Sequence, residues 1–203
     1  RLNEQLTLQA TIGTEYSEIR QTGSSSVTRD FVRPKGFLAL NYKPTDDLFL
    51  SAKLERAVGQ LRFFDFIASV DVNQEREDVT NVNLVPPQSW DLTLEAQQSF
   101  GKSGNLTLSL FYEDVEDIVD RIPIEGGGQA PGNIDSASAY GGFFDATLLS
   151  DEFFWKGGRV DLSLGYMTSK VKDPILDNTR KISGDYYKSY ELSLRQDFND
   201  TPW

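Results

Sequence analysis

The chain has 203 residues, with 20 basic and 31 acidic side chains, a net charge of −11, and neither cysteine nor histidine. The acidic balance argues against nucleic acid as a partner, because phosphate backbones are bound by cations. The missing residue types exclude disulfides, thiolate or imidazole metal sites and Ser-His or Cys-His catalysis. No apolar run is long enough for a transmembrane helix.

Alternating apolar and polar residues, typical of half-buried β strands, begin at the start of the chain. The first predicted strand covers about residues 4–19 and places Leu6, Leu8 and Ile12 on one side. The second covers about residues 33–43, with Leu38 and Leu40, and the third about residues 48–58.

The segment WDLTLEAQQSFGKSGNLTLSLFY, residues 90–112, predicts a hairpin of the fourth and fifth strands around a Gly/Ser/Lys/Asn turn. Its even positions are apolar, as at Leu92, Leu94 and Leu108, and most of its odd positions are polar. Further strands are predicted over about residues 139–149, 159–170 and 186–198.

The connections between these strands alternate in length. Those at about residues 44–47, 101–104 and 150–158 are short, whereas those at about residues 20–31, 59–87, 119–138 and 171–185 are long. Short turns at one end and long loops at the other are typical of outer-membrane barrels. We therefore expect an all-β, antiparallel up-and-down meander of about eight strands that forms part of a large transmembrane β-barrel.

Aromatic residues lie at both ends of the apolar face, as membrane girdles require. The candidates at the long-loop ends are Tyr16, Trp90, Tyr112, Tyr140, Tyr166 and Tyr186; those at the short-turn ends are Tyr42, Phe100 and Phe198. We predict that even positions of the hairpin face lipid and that odd positions face a polar lumen. The alternative is a soluble sandwich that turns its apolar face inward.

Three stretches carry a resemblance to TonB-dependent outer-membrane receptors. NVNLVPPQSWDLTLEAQQSF, from Asn81, is similar to the family's Asn-Pro-x-Leu-x-Pro-Glu-x-Ser sequence before a barrel strand, with Val82 and Gln88 at altered positions. LSLFYEDVEDIVDRIPI and GNIDSASAYGGFFDATL resemble the family segments that follow it, with Gly142 and Asp145 altered. The resemblance is strongest over residues 81–149.

The resemblance implies a twenty-two-stranded barrel with an N-terminal plug, in the outer membrane of a Gram-negative cell. The partners it implies are membrane lipid, a small-molecule nutrient of the siderophore, cobalamin or oligosaccharide class, and TonB acting through the plug. We expect residues 1–203 to be a partial barrel domain without plug or TonB box, with no cofactor and no enzymatic activity. The rivals are a small eight-stranded barrel acting as an anchor or adhesin, and an outer-membrane enzyme.

Ligand-contact candidates are sought near the long loops, because loops on a rigid scaffold carry binding residues. They are Phe63, Phe64 and Phe66 in the longest loop, Asp91 on the polar face, and Glu113, Asp117 and Arg121 in or after the acidic segment EDVEDIVD. That segment is either a solvated strand end or a set of oxygen ligands for Ca²⁺, although its spacing fits no EF-hand.

Overall fold

The computed structural model describes residues 5–21, 27–61, 69–71, 76–78, 83–123, 129–151, 156–182 and 187–198. Strand is the regular structure of these residues. No helix among them is long and apolar enough to cross a membrane.

Eight strands form the wall of the sheet, and three short strands belong to the loops. The eight are β1 (Leu6–Gln21), β2 (Val27–Tyr42), β3 (Leu48–Val58), β6 (Gln88–Ser99), β7 (Gly104–Pro123), β8 (Gln129–Leu149), β9 (Gly158–Lys172) and β11 (Tyr187–Gln196). The loop strands are β4 (Ser69–Asp71), β5 (Arg76–Asp78) and β10 (Thr179–Arg180).

The wall is an antiparallel meander, as the alternation predicts. Each of the eight strands pairs with its neighbour in the chain, in the order β1-β2-β3-β6-β7-β8-β9-β11. A single parallel bridge, Asp78 with Gln129, joins β5 to β8. Among the described strands β1 pairs only with β2, and β11 only with β9. The sheet is therefore open, and the closure that the rival hypothesis, a small eight-stranded barrel, requires is not formed among these strands.

The connections at one end are tight turns. Gly101 has φ +60° in the β6–β7 turn and Gly157 has φ +78° in the β8–β9 turn, where a side chain would be strained. The Thr45 hydroxyl accepts a hydrogen bond from the Leu48 amide, at 3.1 Å, in the β2–β3 turn. The predicted short-turn end is therefore present.

Two of the predicted long loops were wrong in length. The loop expected over residues 119–138 is mostly strand, because β7 continues to Pro123 and β8 already begins at Gln129. The loop expected over residues 20–31 is shortened in the same way by β1 and β2. Backbone pairing continues in both hairpins beyond the point where the regular apolar pattern ends.

Candidate functional site

The even-numbered side chains of the wall form one surface, which we call the apolar face. Leu94 exposes 43% of its surface and Leu110 44%. Glu95 and Ser109, which oppose each other on the other side of the same hairpin, are half-buried. An exposed contiguous leucine surface marks an interaction with lipid or protein, since soluble monomers seldom present one.

Aromatic residues border this face at its long-loop end. Trp90, Tyr112, Tyr140 and Tyr166 are all exposed there, one on each of β6, β7, β8 and β9. Tyr16 lies on the same face and donates a hydrogen bond to Asp30, at 3.1 Å. Tyr42, Phe100 and Phe198 are exposed at the short-turn end, and Tyr186 lies outside the described residues.

The aromatic border descends across the strands. The row of paired residues that starts at Trp90 on β6 ends at Lys170 on β9. The aromatic residue of β9, Tyr166, lies four residues from Lys170 toward the short-turn end. Four residues span about 13 Å and three strand spacings about 14 Å. The border is therefore inclined by about 40° to the rows, which is the strand tilt of a closed membrane barrel.

Cations lie over three of these rings. The Arg56 guanidinium is 5.4 Å from the Trp90 ring centroid, and the amines of Lys170 and Lys188 are each 5.9 Å from the rings of Tyr140 and Tyr166. A cation at this distance from a ring is held by the electron-rich ring face. The long-loop border is thus basic as well as aromatic.

The odd-numbered side chains form the opposite surface, the polar face, and three carboxylates lie side by side on it. Glu55, Asp91 and Glu113 occupy one paired row across β3, β6 and β7. The Lys53 amine is 2.5 Å from Glu55, and Ser89 donates to Asp91 at 3.1 Å. The other Asp91 carboxylate oxygen is buried and has no hydrogen-bond partner among the described residues.

This row is a strip of negative charge suited to hydrogen-bond donors and cationic groups. Carboxylates opposite each other on adjacent strands repel, and Lys53 offsets the charge at the Glu55 end. Within the described residues, no group of three or more acidic side chains is arranged to hold a metal ion. The row can contact a polar ligand or a second protein segment.

Aromatic rings cover glycines on the same polar face. Phe111 stacks on Phe143 with centroids 6.1 Å apart, and Phe143 lies 6.3 Å from Tyr187. The Phe111 ring closely covers Gly141, while Phe143 and Tyr187 cover Gly165. Bare glycine backbone on the neighbouring strand gives each ring a surface to pack on, so these rings brace β7, β8, β9 and β11.

The alternation of β7 and β8 changes face at one position. Asp117 has φ +57°, a left-handed conformation, and the pairing of β7 with β8 is interrupted there. Before it, the odd residue Val115 is buried; after it, the even residue Asp120 is buried. On β8 the buried residues change in the same way, from Ala137 to Ile134.

The change of face builds a small hydrophobic cluster at the long-loop end. It contains Val115, Ile134, Ala137 and Val171, with Ile118, Ile122 and Ile182 packed against it. The acidic segment is solvated in part, as one of the two alternatives expected: Asp114 and Glu116 are exposed. Its apolar residues Val115 and Ile118 enter the cluster, and Asp120 is buried.

An ion-pair network fastens the β9–β11 loop beside the cluster. Arg180 lies 2.9 Å from the buried carboxylate of Asp120 and 2.6 Å from that of Asp173. Asp173 also accepts backbone hydrogen bonds from Ile175 and Leu176. These two amides and then the Arg180 guanidinium hold the pKa of Asp173 below its ordinary value.

Asn133, which the sequence analysis did not single out, anchors the loop that carries the family-like sequence NVNLVPPQS. Leu84 is fully buried, and its carbonyl accepts a hydrogen bond from Arg29 at 3.0 Å. The Asn133 amide accepts from the Val85 N–H and donates to the Val85 carbonyl, both at 2.9 Å, and it also donates to Asp117. Asn133 thus pairs with the Val85 backbone as a strand neighbour would.

The predicted ligand-contact residues fall into separate places. Asp91 and Glu113 are neighbours in the carboxylate row. Asp117 lies 3.5 Å from Arg33, away from that row, and Arg121 is exposed further along β7. Phe63, Phe64 and Phe66 lie outside the described residues.

The fold is shared with solved structures, although no family model and no curated protein matches the chain. Among 35 matching solved chains is the copper transporter OprC, with a TM-score of 0.66 and 18% identity over 87% of this chain. The present chain spans 27% of the length of that protein. At this identity the likeness establishes a common fold: an antiparallel sheet that matches part of a larger one.

Proposed function

We propose that this chain forms part of the barrel wall of a TonB-dependent receptor in the outer membrane of a Gram-negative bacterium. The observation that carries the proposal is the exposed leucine face whose aromatic border descends at the tilt of barrel strands. The sequence resemblance over residues 81–149 and the fold shared with OprC support it. In this role the apolar face contacts lipid.

The polar face then lines the lumen. The carboxylate row of Glu55, Asp91 and Glu113 faces the plug or the passing nutrient, and the fastened loops at the other end form the extracellular side. TonB acts through the plug, and the chain catalyses no reaction. The nutrient is a siderophore, cobalamin or oligosaccharide. Because OprC is described as a copper transporter, copper is also a substrate to test.

Uptake by the intact receptor tests this proposal. Cells that express it are given radiolabelled ferric siderophores, cobalamin, oligosaccharides and copper, with and without functional TonB. We expect one of these classes to accumulate only when both the receptor and TonB are present. Accumulation that is independent of TonB would contradict the proposal and favour a passive barrel.

A matched pair of variants connects uptake to this chain. Replacing both Asp91 and Glu113 by Asn and Gln removes two charges from the row, whereas replacing Asp46 and Asp47 in the β2–β3 turn by Asn removes two charges remote from it. We expect the first pair to weaken uptake and the second to leave it unchanged.

A further inference from the structure

A groove crosses the apolar face at Gly142, where an even-numbered position has no side chain. It has a volume of about 470 Å³ and is lined mainly by apolar atoms. Its lining includes Leu108, Leu110, Phe144 and Leu164.

The rim of the groove on the long-loop side is aromatic and basic. Tyr140 and Tyr166 line it, and the amines of Lys170 and Lys188 lie over those two rings. Lys170 forms no ion pair with a described carboxylate; the nearest acidic residue in its row, Asp114, is two strands away, about 10 Å. The apolar groove therefore ends beside the positively charged amines of Lys170 and Lys188.

We propose that this groove is a binding site for an acylated lipid with an anionic phosphate headgroup. One acyl chain lies in the groove against Leu108, Phe144 and Leu164, and the phosphate is bound by Lys170 and Lys188. The charges favour such a lipid over a neutral one, and the exposed rings match the headgroup level of a bilayer. The inference rests on the proposed function in one respect, since it requires the apolar face to contact lipid.

A second groove on the same face serves as an internal comparison. It lies around Gly36, has a volume of about 440 Å³ and includes Trp90 and Arg56 in its lining. Arg56 is already paired with Glu116, at 2.6 Å. Because its cation is compensated, this groove should take acyl chains without preferring an anionic headgroup.

The test is lipid binding to the delipidated intact receptor, measured by native mass spectrometry. The probes are dioleoyl phosphatidylglycerol, dioleoyl phosphatidylcholine and inorganic phosphate. Each lysine near the surface contributes about fivefold to the binding of an anionic lipid. We therefore expect Lys170→Ala with Lys188→Ala to weaken phosphatidylglycerol binding by about 20- to 30-fold and to leave phosphatidylcholine binding unchanged.

Two further variants separate the groove from its charges. Leu164→Trp narrows the groove and should weaken both lipids, whereas Leu92→Trp, on the same face outside the groove, should weaken neither. The control for the lysine pair is Lys43→Ala with Lys102→Ala, at the short-turn end.

Equal loss of both lipids in the lysine variant, or retention of phosphatidylglycerol, would overturn the site. So would binding of inorganic phosphate as tight as that of phosphatidylglycerol, because the acyl chain would then contribute nothing. A spin label at position 94 distinguishes these failures from failure of the proposed function: contact of that label with lipid shows that the face is correct even where the site is not.

Discussion

Leu94 and Glu95 are consecutive residues with opposite surroundings. Leu94 lies in the middle of the apolar face, level with Ala52 and Leu110, and Glu95 lies on the polar face between Ser51 and Ser109. Because strand side chains alternate, a shift of register by one residue would exchange the two. This pair therefore tests at single-residue resolution which face of the wall meets lipid.

We expect Leu94→Lys to destabilise the intact receptor by about 2–4 kcal/mol, the cost of a cation near the middle of the bilayer. Glu95→Lys, on the polar face, should cost much less. Reversible unfolding in urea from lipid vesicles measures both. A larger cost at position 95 than at position 94 would show that the assignment of faces is reversed.

Strand β7 shows how one backbone conformation changes the role of an element. Up to Tyr112 its even residues are apolar, as the wall of the proposed barrel requires. From Val115 onward its apolar residues, including Ile118 and Ile122, belong to the loop cluster or pack against it. Left-handed φ is accessible to Asp and Gly but unfavourable for β-branched residues. The residue type at position 117 is therefore part of the fold.

At this position Asp117→Gly should be tolerated to within about 1 kcal/mol, and Asp117→Val should cost about 1–2 kcal/mol more, because only valine opposes the left-handed backbone. Both variants lose the Arg33 contact, so the difference between them isolates the backbone. At Asp114, which has ordinary strand geometry, the order should be reversed, since valine favours strands. Unfolding in urea compares the four; valine as stable as glycine at position 117 would refute the argument.

The β9–β11 loop should respond to acid through Asp173. Its pKa is lowered in the folded protein, so its stabilising effect is full above its unfolded-state pKa, near 4, and is lost as the pH falls through the lower folded value. Hydrogen-exchange protection of Ile175 and Leu176 should then decrease below about pH 4.

The variant Asp173→Ala should lower this protection at neutral pH and abolish its acid dependence, whereas Asp46→Ala in a distant turn should change neither. An acid response that is retained in Asp173→Ala would assign the effect to another group.

The sequence predicts some of these elements well and others poorly, for reasons visible in particular residues. Strand β3 has the predicted bounds, Leu48–Val58, because its alternation is regular and a Pro-Thr-Asp-Asp turn precedes it. The extensions of β7 and β8 were missed because the phase of the pattern changes at Asp117. The start of β2 was missed because Pro34 and Gly36 indicate a strand end, although β2 pairs with β1 throughout.

Some contacts of the candidate site could likewise be predicted from the sequence, and others could not. The adjacency of Asp91 and Glu113 follows from two strands in one hairpin, so it was within reach of the sequence. The contact of Asn133 with Val85 joins residues 48 positions apart in the chain. No periodic pattern specifies such a contact, because it depends on how a loop returns to the sheet.

On the scale of the whole molecule, the wall has two different ends. Tight turns close one end, and loops carrying ion pairs, a hydrophobic cluster and the additional strands β4, β5 and β10 lie at the other. In outer-membrane barrels the short turns face the periplasm. In the proposed barrel this asymmetry predicts which end of the chain faces the periplasm.

Single cysteines at positions 63, 121 and 177 should react with an impermeant maleimide on whole cells, and one at position 102 should not. The chain contains no cysteine of its own, so it gives no background. Broken cells serve as the control, in which position 102 should become reactive. Labelling of position 102 but not position 121 on intact cells would reverse the orientation.

The change of face at Asp117 on β7, and between Ile134 and Ala137 on β8, divides the β7–β8 hairpin into two modules. In the proposed barrel the strands face lipid below this level, and above it their side chains pack against one another. Both strands change at the same level. A loop segment inserted above that level needs to match only the distance between the ends of β7 and β8. In the proposed barrel, the loops above this level can therefore change in sequence and length without disturbing the lipid-facing pattern below it.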